Sequence, residues 1–476
     1  MRVKLSLLLM ITSTWCQAQL LSDTLLASYT IAEVDSIYIA SGIPPYIAGD
    51  VIYPIEIYKL IYETQDALGG TTYTSGTLFI PKNDTCNGPL VAYQHGTISD
   101  HASLPSNLGG EAIIGIIAAT GGYRVAMTDY VGMGDGPGFH PYVHAKSEAT
   151  AVLDMLRASK AFCDSVNIEI NPQLFMMGYS QGGHATMAAL REIELYHANE
   201  FTPTVTIPMA GPYDVSGVQR LVMESNDPYS QPGYFPYIAL SYDMVYDVYN
   251  SLQEVFIPPY DSIVNAVFDG QTGMGTINSL LPSVINQMID TAYYNNYLND
   301  PNHPFRLALA DNDVYDWVPQ SYLRMVHCSG DQVVPYGNAQ VAYDAFIAAG
   351  ADSVELINGG SSDHGPCAQT AIIGAKLYID TRAQFCMFIG DEELEGEKVN
   401  IEVSPNPFTD KTTIILSGDI RNDYVLEVFD MTGKLVYEDR NVMGNKVIVS
   451  ANNLDVGMYF FTLSGEEIFS GKLIVQ

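Results

Sequence analysis

Positive charge is scarce in this sequence. Its 476 residues include 21 Lys and Arg against 54 Asp and Glu, which gives a formal net charge of −33 at pH 7. Nucleic acid requires a basic face on its partner, and an anionic lipid surface repels so acidic a chain. Both are therefore excluded as electrostatic partners, and the charge indicates a solvated surface.

Long apolar runs are also lacking. A membrane helix needs about 18 uninterrupted apolar residues, and no stretch reaches that length, so we expect no transmembrane segment. The short run Leu5–Ile11 follows two basic residues and precedes small ones, which predicts that residues 1–18 are an export signal cleaved after Ala18. A lipid anchor on Cys16 is the alternative, and the bulky Trp15 disfavours it. The mature protein is therefore expected to be secreted or at the cell surface.

Cysteine is rare, and its pairing is open. Five of the six cysteines remain after residue 18, namely Cys86, Cys163, Cys328, Cys367 and Cys386. An odd number leaves at least one thiol unpaired within the chain, although an oxidising compartment permits disulfides. One straight helix between Cys367 and Cys386 would separate them by roughly 28 Å, so that pairing needs a helix break. No CxxC spacing appears, so metal binding by these cysteines is the weaker interpretation.

Enough apolar material is present for one large and one small domain. Apolar residues make up 47% of the chain and charged residues 16%, which is typical of a globular protein. Composition changes sharply after Cys386, where an acidic stretch begins. We therefore expect one large domain over residues 19–388, a linker over 389–400 and a small domain over 401–476.

Strands alternate with helices in the first part of the chain. The predicted strands are Ile55–Glu63, Thr71–Ile80, Leu90–Tyr93, Arg124–Thr128, Leu174–Met177, Val205–Pro208, Leu323–Cys328 and Val354–Ile357. The predicted helices between them are Glu111–Ala119, Ser147–Phe162 and a helix from Gly178 to Leu190. This alternation predicts an α/β domain with a mostly parallel sheet, helices on both faces and two antiparallel strands at its start.

The alternation stops over residues 211–316, which are rich in Tyr, Met, Asn and Pro. Helices are predicted near Ile238–Leu252 and Thr276–Tyr294. An insertion of this size between two strands favours a helical cap over the strand ends. The alternative is a second packing layer with no gating role.

The small domain has a different pattern, in which short alternating strands are separated by turn residues. The predicted strands are Thr412–Leu416, Tyr424–Phe429, Leu435–Glu438, Lys446–Val449, Met458–Leu463 and Lys472–Val475. This spacing predicts an all-β, immunoglobulin-like sandwich.

One motif has the GxSxG form that presents a nucleophilic serine, Gly178-Tyr179-Ser180-Gln181-Gly182. Small residues around the serine allow a sharp strand-to-helix turn that exposes its hydroxyl above the sheet. The motif is weak by itself, but a predicted strand precedes it and a predicted helix follows it. We therefore predict Ser180 as a catalytic nucleophile.

A serine nucleophile needs a base and an acid that orients the base. On this type of sheet they follow in the order Ser, acid, His, each after a later strand. Asp331 follows the predicted strand Leu323–Cys328, and His364 follows Val354–Ile357 in a Gly-rich loop. The predicted triad is therefore Ser180, Asp331 and His364. Weaker candidates are Asp311, Asp313 and Asp316 as the acid and His184 and His327 as the base.

Two backbone N–H groups are predicted to stabilise an oxyanion. Gln181 opens the helix after the serine, so its N–H lies at a helix N-terminus. The second donor should come from the loop after Leu90–Tyr93, and we choose Thr97, with Gly96 as the near alternative. His95 is expected to shape this loop without titrating.

Several segments resemble the secretory lipase family of α/β-hydrolases. The similarity extends from about Ile52 to Gln384, and its motifs are Tyr93-Gln94-His95-Gly96-Thr97, Asp129-Tyr130-Val131-Gly132-Met133-Gly134, His140-Pro141-Tyr142 and Gly178–Gly183. The resemblance implies the α/β-hydrolase fold with a helical cap, carboxylic ester hydrolysis and the triad Ser180, Asp331 and His364. It does not imply a particular substrate.

The small domain resembles a type IX secretion C-terminal sorting domain. The residues that carry this resemblance are Val403-Ser404-Pro405-Asn406-Pro407-Phe408, Val428–Lys434, Gly457-Met458-Tyr459-Phe460 and Lys472–Val475. It implies that the type IX secretion machinery is a partner and that the chain crosses an outer membrane. The alternative is a β-sandwich that binds substrate.

These features predict an exported serine hydrolase that cleaves small-molecule or lipid carboxylic esters through an acyl-enzyme. Such chemistry requires no metal or organic cofactor. One alternative is a serine peptidase of the prolyl-oligopeptidase type, which has the same triad order but usually a large β-propeller before the catalytic domain. The other is a non-catalytic surface adhesin, which a fluorophosphonate probe would distinguish.

Overall fold

The computed structural model describes residues 19–43, 49–83, 86–386, 401–416, 423–430, 434–464 and 468–476. The chain divides into two units, residues 1–387 and 388–476. The expected export signal and the expected acidic linker lie outside the described residues. In the described part of the chain, no helix combines the length and apolarity needed to cross a membrane.

A nine-stranded sheet forms the larger unit. Its strands are β1 (Leu20–Tyr29), β2 (Ile55–Gln65), β3 (Thr71–Pro81), β4 (Gly88–Gln94), β5 (Arg124–Thr128), β6 (Ile170–Tyr179), β7 (Pro203–Met209), β8 (Leu323–His327) and β9 (Val354–Asn358). They lie in the order β1-β2-β3-β5-β4-β6-β7-β8-β9. Strands β4 to β9 are mutually parallel, whereas β1, β2 and β3 are antiparallel neighbours at one edge. The predicted mostly parallel α/β architecture is confirmed.

The α-helices of the larger unit lie between these strands, in the insertion after β7 and, for the last helix, after β9. They are α1 (Ile31–Ala40), α2 (Ala112–Thr120), α3 (Ala145–Ser165), α4 (Gln181–Tyr196), α5 (Arg220–Glu224), α6 (Tyr234–Tyr246), α7 (Leu252–Val255), α8 (Tyr260–Val267), α9 (Met274–Ser279), α10 (Thr291–Asn299), α11 (Pro304–Asp311), α12 (Gly337–Ala348) and α13 (His364–Asp380). Helices α2 and α13 pack in one apolar core with one face of the sheet. Helices α3 and α4 pack in another core with the opposite face. Crossovers of a parallel sheet cover both faces in this way.

Strand β1 and helix α1 are absent from the sequence-based prediction. β1 lies at the sheet edge and most of its residues are exposed, so it lacks the apolar pattern that identifies buried strands. α1 begins with a capping box. Thr30 Oγ1 accepts from the Glu33 N–H, and the Glu33 carboxylate accepts from the Thr30 N–H. Pairing with β2 therefore stabilises β1, and the cap stabilises the start of α1. Neither element depends on an apolar stripe that the sequence would show.

The insertion between β7 and β8 contains a π-helix over Val215–Gln219, followed by helices α5 to α11. These helices share one apolar core. The single helix predicted over Thr276–Tyr294 is wrong, because α9, a short 3₁₀ turn over Ile285–Met288 and α10 occupy that stretch. Pro282 lies between α9 and the 3₁₀ turn, and proline has no N–H to continue a helix.

The smaller unit is an all-β sandwich. Its strands are β10 (Ile401–Ser404), β11 (Lys411–Leu416), β12 (Asp423–Phe429), β13 (Leu435–Met443), β14 (Lys446–Ser450), β15 (Gly457–Ser464) and β16 (Ile468–Val475). They form antiparallel sheets in the orders β10-β11-β14 and β13-β12-β15-β16. Side chains from both sheets share one apolar core, as the alternating pattern predicts.

Candidate active site

Ser180 lies on a sharp turn between β6 and α4. Its backbone has φ 61° and ψ −123°, a conformation that costs a non-glycine residue about 1–3 kcal/mol and is found at functional sites. The turn is held by the Ser180 N–H, which donates to the Met209 carbonyl at 2.9 Å. The turn therefore raises the serine hydroxyl above the carboxyl ends of the strands.

Gly182 allows this turn to pass close to the neighbouring strand. A Cβ at Gly182 would lie 1.9 Å from the Gln94 carbonyl oxygen, which is backbone and cannot move aside. We expect Gly182→Ala to lose activity and to destabilise the protein by about 3 kcal/mol or more, measured by thermal unfolding. Gly365→Ala is the matched control, because a Cβ there meets nothing within 4 Å. A Gly182→Ala variant with the wild-type melting temperature would contradict this expectation.

The structure brings Ser180, His364 and Asp331 together in one chain of hydrogen bonds. His364 Nε2 lies 2.9 Å from Ser180 Oγ, and His364 Nδ1 lies 2.6 Å from Asp331 Oδ2. Asp331 follows β8, and His364 is the first residue of α13. Ser180 and His364 expose only 6% and 8% of their surface. The arrangement allows proton transfer between serine and imidazole while the carboxylate orients the ring.

Asp331 is held in its ionised form. Its Oδ1 accepts from the N–H groups of Val333 and Val334 at 2.9 and 2.8 Å. Burial by itself would raise the pKa of Asp331, but hydrogen bonds from His327 and His364 lower that pKa to about 2. His327 Nε2 also donates to the Val334 carbonyl at 2.7 Å. His327, a weaker candidate for the base, thus supports the acid instead.

His364 is anchored from two further sides. Tyr179 Oη donates to the His364 carbonyl at 2.6 Å. A disulfide joins Cys328, directly after β8, to Cys367 in the first turn of α13. The disulfide therefore links the segments that carry Asp331 and His364, and sequence alone had left this pairing open.

The loop after β4 runs beside the serine turn, since a Cβ at Gly96 would lie 3.8 Å from Ser180 Cβ. The Gly96 N–H donates to Glu111 Oε1 at 3.0 Å, so it is already engaged. In the described part of the chain, the N–H groups of Thr97 and Gln181 have no acceptor. Thr97 Oγ1 is 2.8 Å from Tyr142 Oη. These contacts favour Thr97 over Gly96 as the donor from this loop.

Aromatic side chains of the cap lie against the Thr97 loop. Tyr237 Oη donates to the Ile98 carbonyl at 3.2 Å, and the Tyr237 ring stacks on Tyr142 with centroids 4.4 Å apart. Tyr229 Oη donates to the carbonyl of Val333, two residues after Asp331, at 3.1 Å. The cap thus contacts both the proposed donor loop and the acid loop.

A second polar group lies beneath the serine turn, and it joins His184, a weaker candidate for the base, to Glu148, which sequence analysis did not single out. His184 Nδ1 lies 2.6 Å from Glu148 Oε2, and both side chains are fully buried. His140 and His144 have a spacing of four residues, as in some metal sites, but their Nδ1 atoms contact the Val131 carbonyl and Ser147 Oγ. Among the described residues, no three His, Cys, Asp or Glu side chains are placed to hold a metal ion. No sequence motif marks Glu148, because its partner His184 lies on a different helix.

The remaining candidate acids lie elsewhere. Asp311 accepts from Tyr246 Oη, Asp313 accepts from Ser216, and Asp316 pairs with Arg191. All three precede β8. These contacts indicate that the three carboxylates have structural roles.

Two family profiles match the chain in separate regions. The secretory lipase profile matches residues 108–383, and the secretion system C-terminal sorting domain profile matches residues 402–476. The first region includes Ser180, Asp331 and His364. A search among curated proteins found no match.

Solved structures with the same fold include bacterial and fungal enzymes. A point mutant of the rice cell wall degrading esterase LipA from Xanthomonas oryzae has 25% identity and a TM-score of 0.70, over 77% of this chain and 99% of that chain. Unmutated LipA has 26% identity and a TM-score of 0.65, over 76% and 95%. Candida antarctica lipase A in its closed state has 16% identity and a TM-score of 0.55, over 75% and 82%, which shows the fold alone.

These comparisons agree with the mostly parallel sheet covered by helices. They confirm the α/β-hydrolase fold class, and they indicate an exported lipase or esterase that carries a type IX sorting domain at its C-terminus. Since the lipase profile spans more than half of the 476 residues, the chain belongs to the secretory lipase family.

Proposed function

We propose that the chain hydrolyses carboxylic esters with Ser180 as nucleophile, His364 as general base and acid, and Asp331 as the residue that orients His364. The observation that supports this most is the continuous hydrogen-bond chain from Ser180 Oγ through His364 to Asp331, at 2.9 and 2.6 Å. The strained backbone of Ser180 is a second support, because such strain persists where function needs it.

The first half-reaction acylates Ser180. His364 Nε2 takes the hydroxyl proton while Oγ forms a bond to the ester carbonyl carbon, and the carbonyl oxygen becomes an oxyanion. The backbone N–H groups of Thr97 and Gln181 donate to that oxyanion. The C–O bond to the alcohol then breaks, and His364 protonates the leaving oxygen.

The second half-reaction releases the acid. His364 takes a proton from water, whose oxygen attacks the acyl carbon, and Ser180 Oγ leaves with the proton that His364 returns. Asp331 stays ionised throughout, since its pKa of about 2 lies far below neutral pH. No step needs a metal or an organic cofactor.

Hydrolysis of p-nitrophenyl esters from acetyl to palmitoyl tests the proposal. We expect turnover on at least part of this series, covalent labelling of Ser180 by a fluorophosphonate, and loss of labelling on heat denaturation. The optimum chain length separates an esterase from a lipase. Absence of both turnover and labelling would overturn the proposal and direct attention to peptide bonds or to adhesion.

The C-terminal sandwich is proposed to serve export and not turnover. It has its own apolar core, and it matches the sorting-domain profile. We expect a chain ending at residue 400 to keep kcat within about twofold, because the triad and its partners all lie before residue 387. The same deletion should abolish release into the medium in a host with type IX secretion, measured by blotting cells and medium. A tenfold loss of kcat on deletion would contradict this division of roles.

A further inference from the structure

A buried polar network joins α3 to the first turn of α4. Gln181 Nε2 donates one hydrogen to Glu148 Oε1 at 2.9 Å and the other to His140 Nε2 at 2.7 Å. Glu148 Oε2 lies 2.6 Å from His184 Nδ1, and His184 Nε2 donates to the Asn312 carbonyl at 2.9 Å. We call these residues the elbow network; the side chains of Glu148, Gln181, His140 and His184 are all at least 97% buried.

The proton positions in this network are determined by its acceptors. His140 Nδ1 donates to the Val131 carbonyl at 2.9 Å, so Nε2 keeps a lone pair for the Gln181 amide. Burial lowers the pKa of His140 to about 3, which keeps this ring neutral. Both amide hydrogens of Gln181 are therefore used, and its side chain has one orientation.

The network also reaches the second proposed oxyanion donor. The His140 ring stacks on Tyr130 with centroids 5.6 Å apart. Tyr130 Oη donates to the His95 carbonyl at 3.0 Å, two residues before Thr97. One set of buried contacts thus supports the segments of both donors.

We propose that Glu148 is a positioning residue, which holds the Gln181 N–H in the geometry needed to stabilise the oxyanion. The Ser180 turn is strained, so only tertiary contacts keep it and the following residue in place. Glu148 supplies two such contacts, to Gln181 and to His184, on the same turn of α4. This inference rests on the proposed function.

Replacement of Glu148 by Ala and by Gln tests the inference. In Glu148→Gln the new amide oxygen accepts from Gln181 and the amide nitrogen donates to Nδ1 of a neutral His184, so the network survives. We expect Glu148→Ala to lower kcat by about 10- to 100-fold with KM within twofold, since loss of a whole oxyanion donor costs about 10²–10³. Glu148→Gln should stay within about fivefold of wild type. Affinity for a trifluoromethyl ketone, whose adduct carries the oxyanion, should fall with kcat in Glu148→Ala.

Glu192→Ala is the matched control. Glu192 also joins α4 to α3, through Lys146 at 2.5 Å, but far from the serine turn, so kcat should not change. If Glu148→Ala does not fold, Gln181→Leu gives the same test, because it keeps the N–H and loses the anchor. A kcat loss without loss of ketone affinity, or equal losses in Glu148→Ala and Glu148→Gln, would overturn the inference. Failure of the proposed function itself would appear instead as full activity in Ser180→Ala.

A separate observation concerns Cys86 and Cys386. Cys86 Sγ lies 3.3 Å from the Cys386 carbonyl, and Cys386 Sγ lies 2.9 Å from the N–H of Asn87. Burial, followed by a hydrogen bond between the two thiols, raises the pKa of Cys86. Arg124 Nη2 donates to the Cys86 carbonyl at 2.7 Å and fixes that backbone. The two thiols therefore face each other at the end of the catalytic unit.

We infer that Cys86 and Cys386 form a disulfide in the exported protein. Each thiol loses a proton, an S–S bond forms, and the two electrons pass to the disulfide of a thiol oxidant, which becomes two thiols. This pairing leaves Cys163, buried in the core, as the unpaired thiol that the odd count requires. The bond would tie the end of the larger unit to the segment that leads into β4.

Peptide mapping without reduction tests the disulfide on the full chain purified after export. The protein is denatured with an alkylating agent and then digested. We expect linked peptides for Cys328–Cys367 and Cys86–Cys386, and an alkylated Cys163. Cys86→Ser should make Cys386 alkylatable, whereas Cys163→Ser should change neither link. Alkylated Cys86 and Cys386 in a sample whose Cys328–Cys367 link is intact would overturn the inference.

Discussion

Replacing Ser180 with Ala should lower kcat on a p-nitrophenyl ester by about 10⁶-fold, the loss seen when the serine of such a triad is removed. The physical reason is that Ser180 Oγ, at 2.9 Å, is the hydroxyl whose proton His364 Nε2 can accept. No other hydroxyl of the described chain contacts that nitrogen. The Ser180 side chain is small and 6% exposed, so the variant should fold normally. Steady-state kinetics together with circular dichroism would measure both results.

Ser279→Ala is the matched control for this substitution. Ser279 is an exposed residue of α9, and its hydroxyl donates only to the Thr276 carbonyl at 2.7 Å. It should keep wild-type kcat. Equal activity in Ser180→Ala and wild type would show that Ser180 is not the nucleophile, and the proposed function would be abandoned.

Replacing Asp331 with Asn should lower kcat by about 10⁴-fold, because an amide no longer holds the imidazole in the tautomer that accepts the serine proton. His364 Nδ1 is 2.6 Å from Asp331 Oδ2, and this contact orients the ring. Asp316→Asn is the control, since that acid is exposed and pairs with Arg191 on the surface. A loss of less than tenfold in Asp331→Asn would show that another group orients His364.

The same carboxylate links stability to pH. Its pKa is lowered from 3.8 to about 2 in the folded protein, so it binds a proton more readily when unfolded. A shift of this size stabilises the fold by about 2 kcal/mol above pH 5, and that contribution is lost as the pH falls towards 2. Urea unfolding at pH 6 and pH 3 should therefore show a smaller difference between wild type and Asp331→Asn at the lower pH. A difference that does not change with pH would contradict the lowered pKa.

Much of the larger unit could be predicted from the sequence because its signals are local. Buried parallel strands are short apolar runs, and β4 to β9 all appear as such runs in the sequence. The exposed edge strand β1 has no such run and could not be predicted. The predicted helix over Thr276–Tyr294 failed for a different reason. Pro282 lies within it and is a local signal against a continuous helix, but the prediction did not take it into account.

The candidate site divides in the same way. Ser180 could be identified because its turn needs small residues at fixed positions, and Asp331 and His364 because each follows a strand in the expected order. Their roles stay predictions, but the structure places them in contact. Glu148, by contrast, has no motif, because its partners Gln181 and His184 belong to a different segment.

By itself the sequence determined the fold class, the serine turn and the two-part organisation, because periodicity and turn chemistry act over a few residues. It also predicted the order of the triad. Only the tertiary structure decided which cysteines pair, which N–H of the Thr97 loop is free, and that Glu148 lies under the serine turn. Those contacts join residues 15 to 39 positions apart. They depend on strand order in the sheet and on how α3 and α4 pack, which no local pattern encodes.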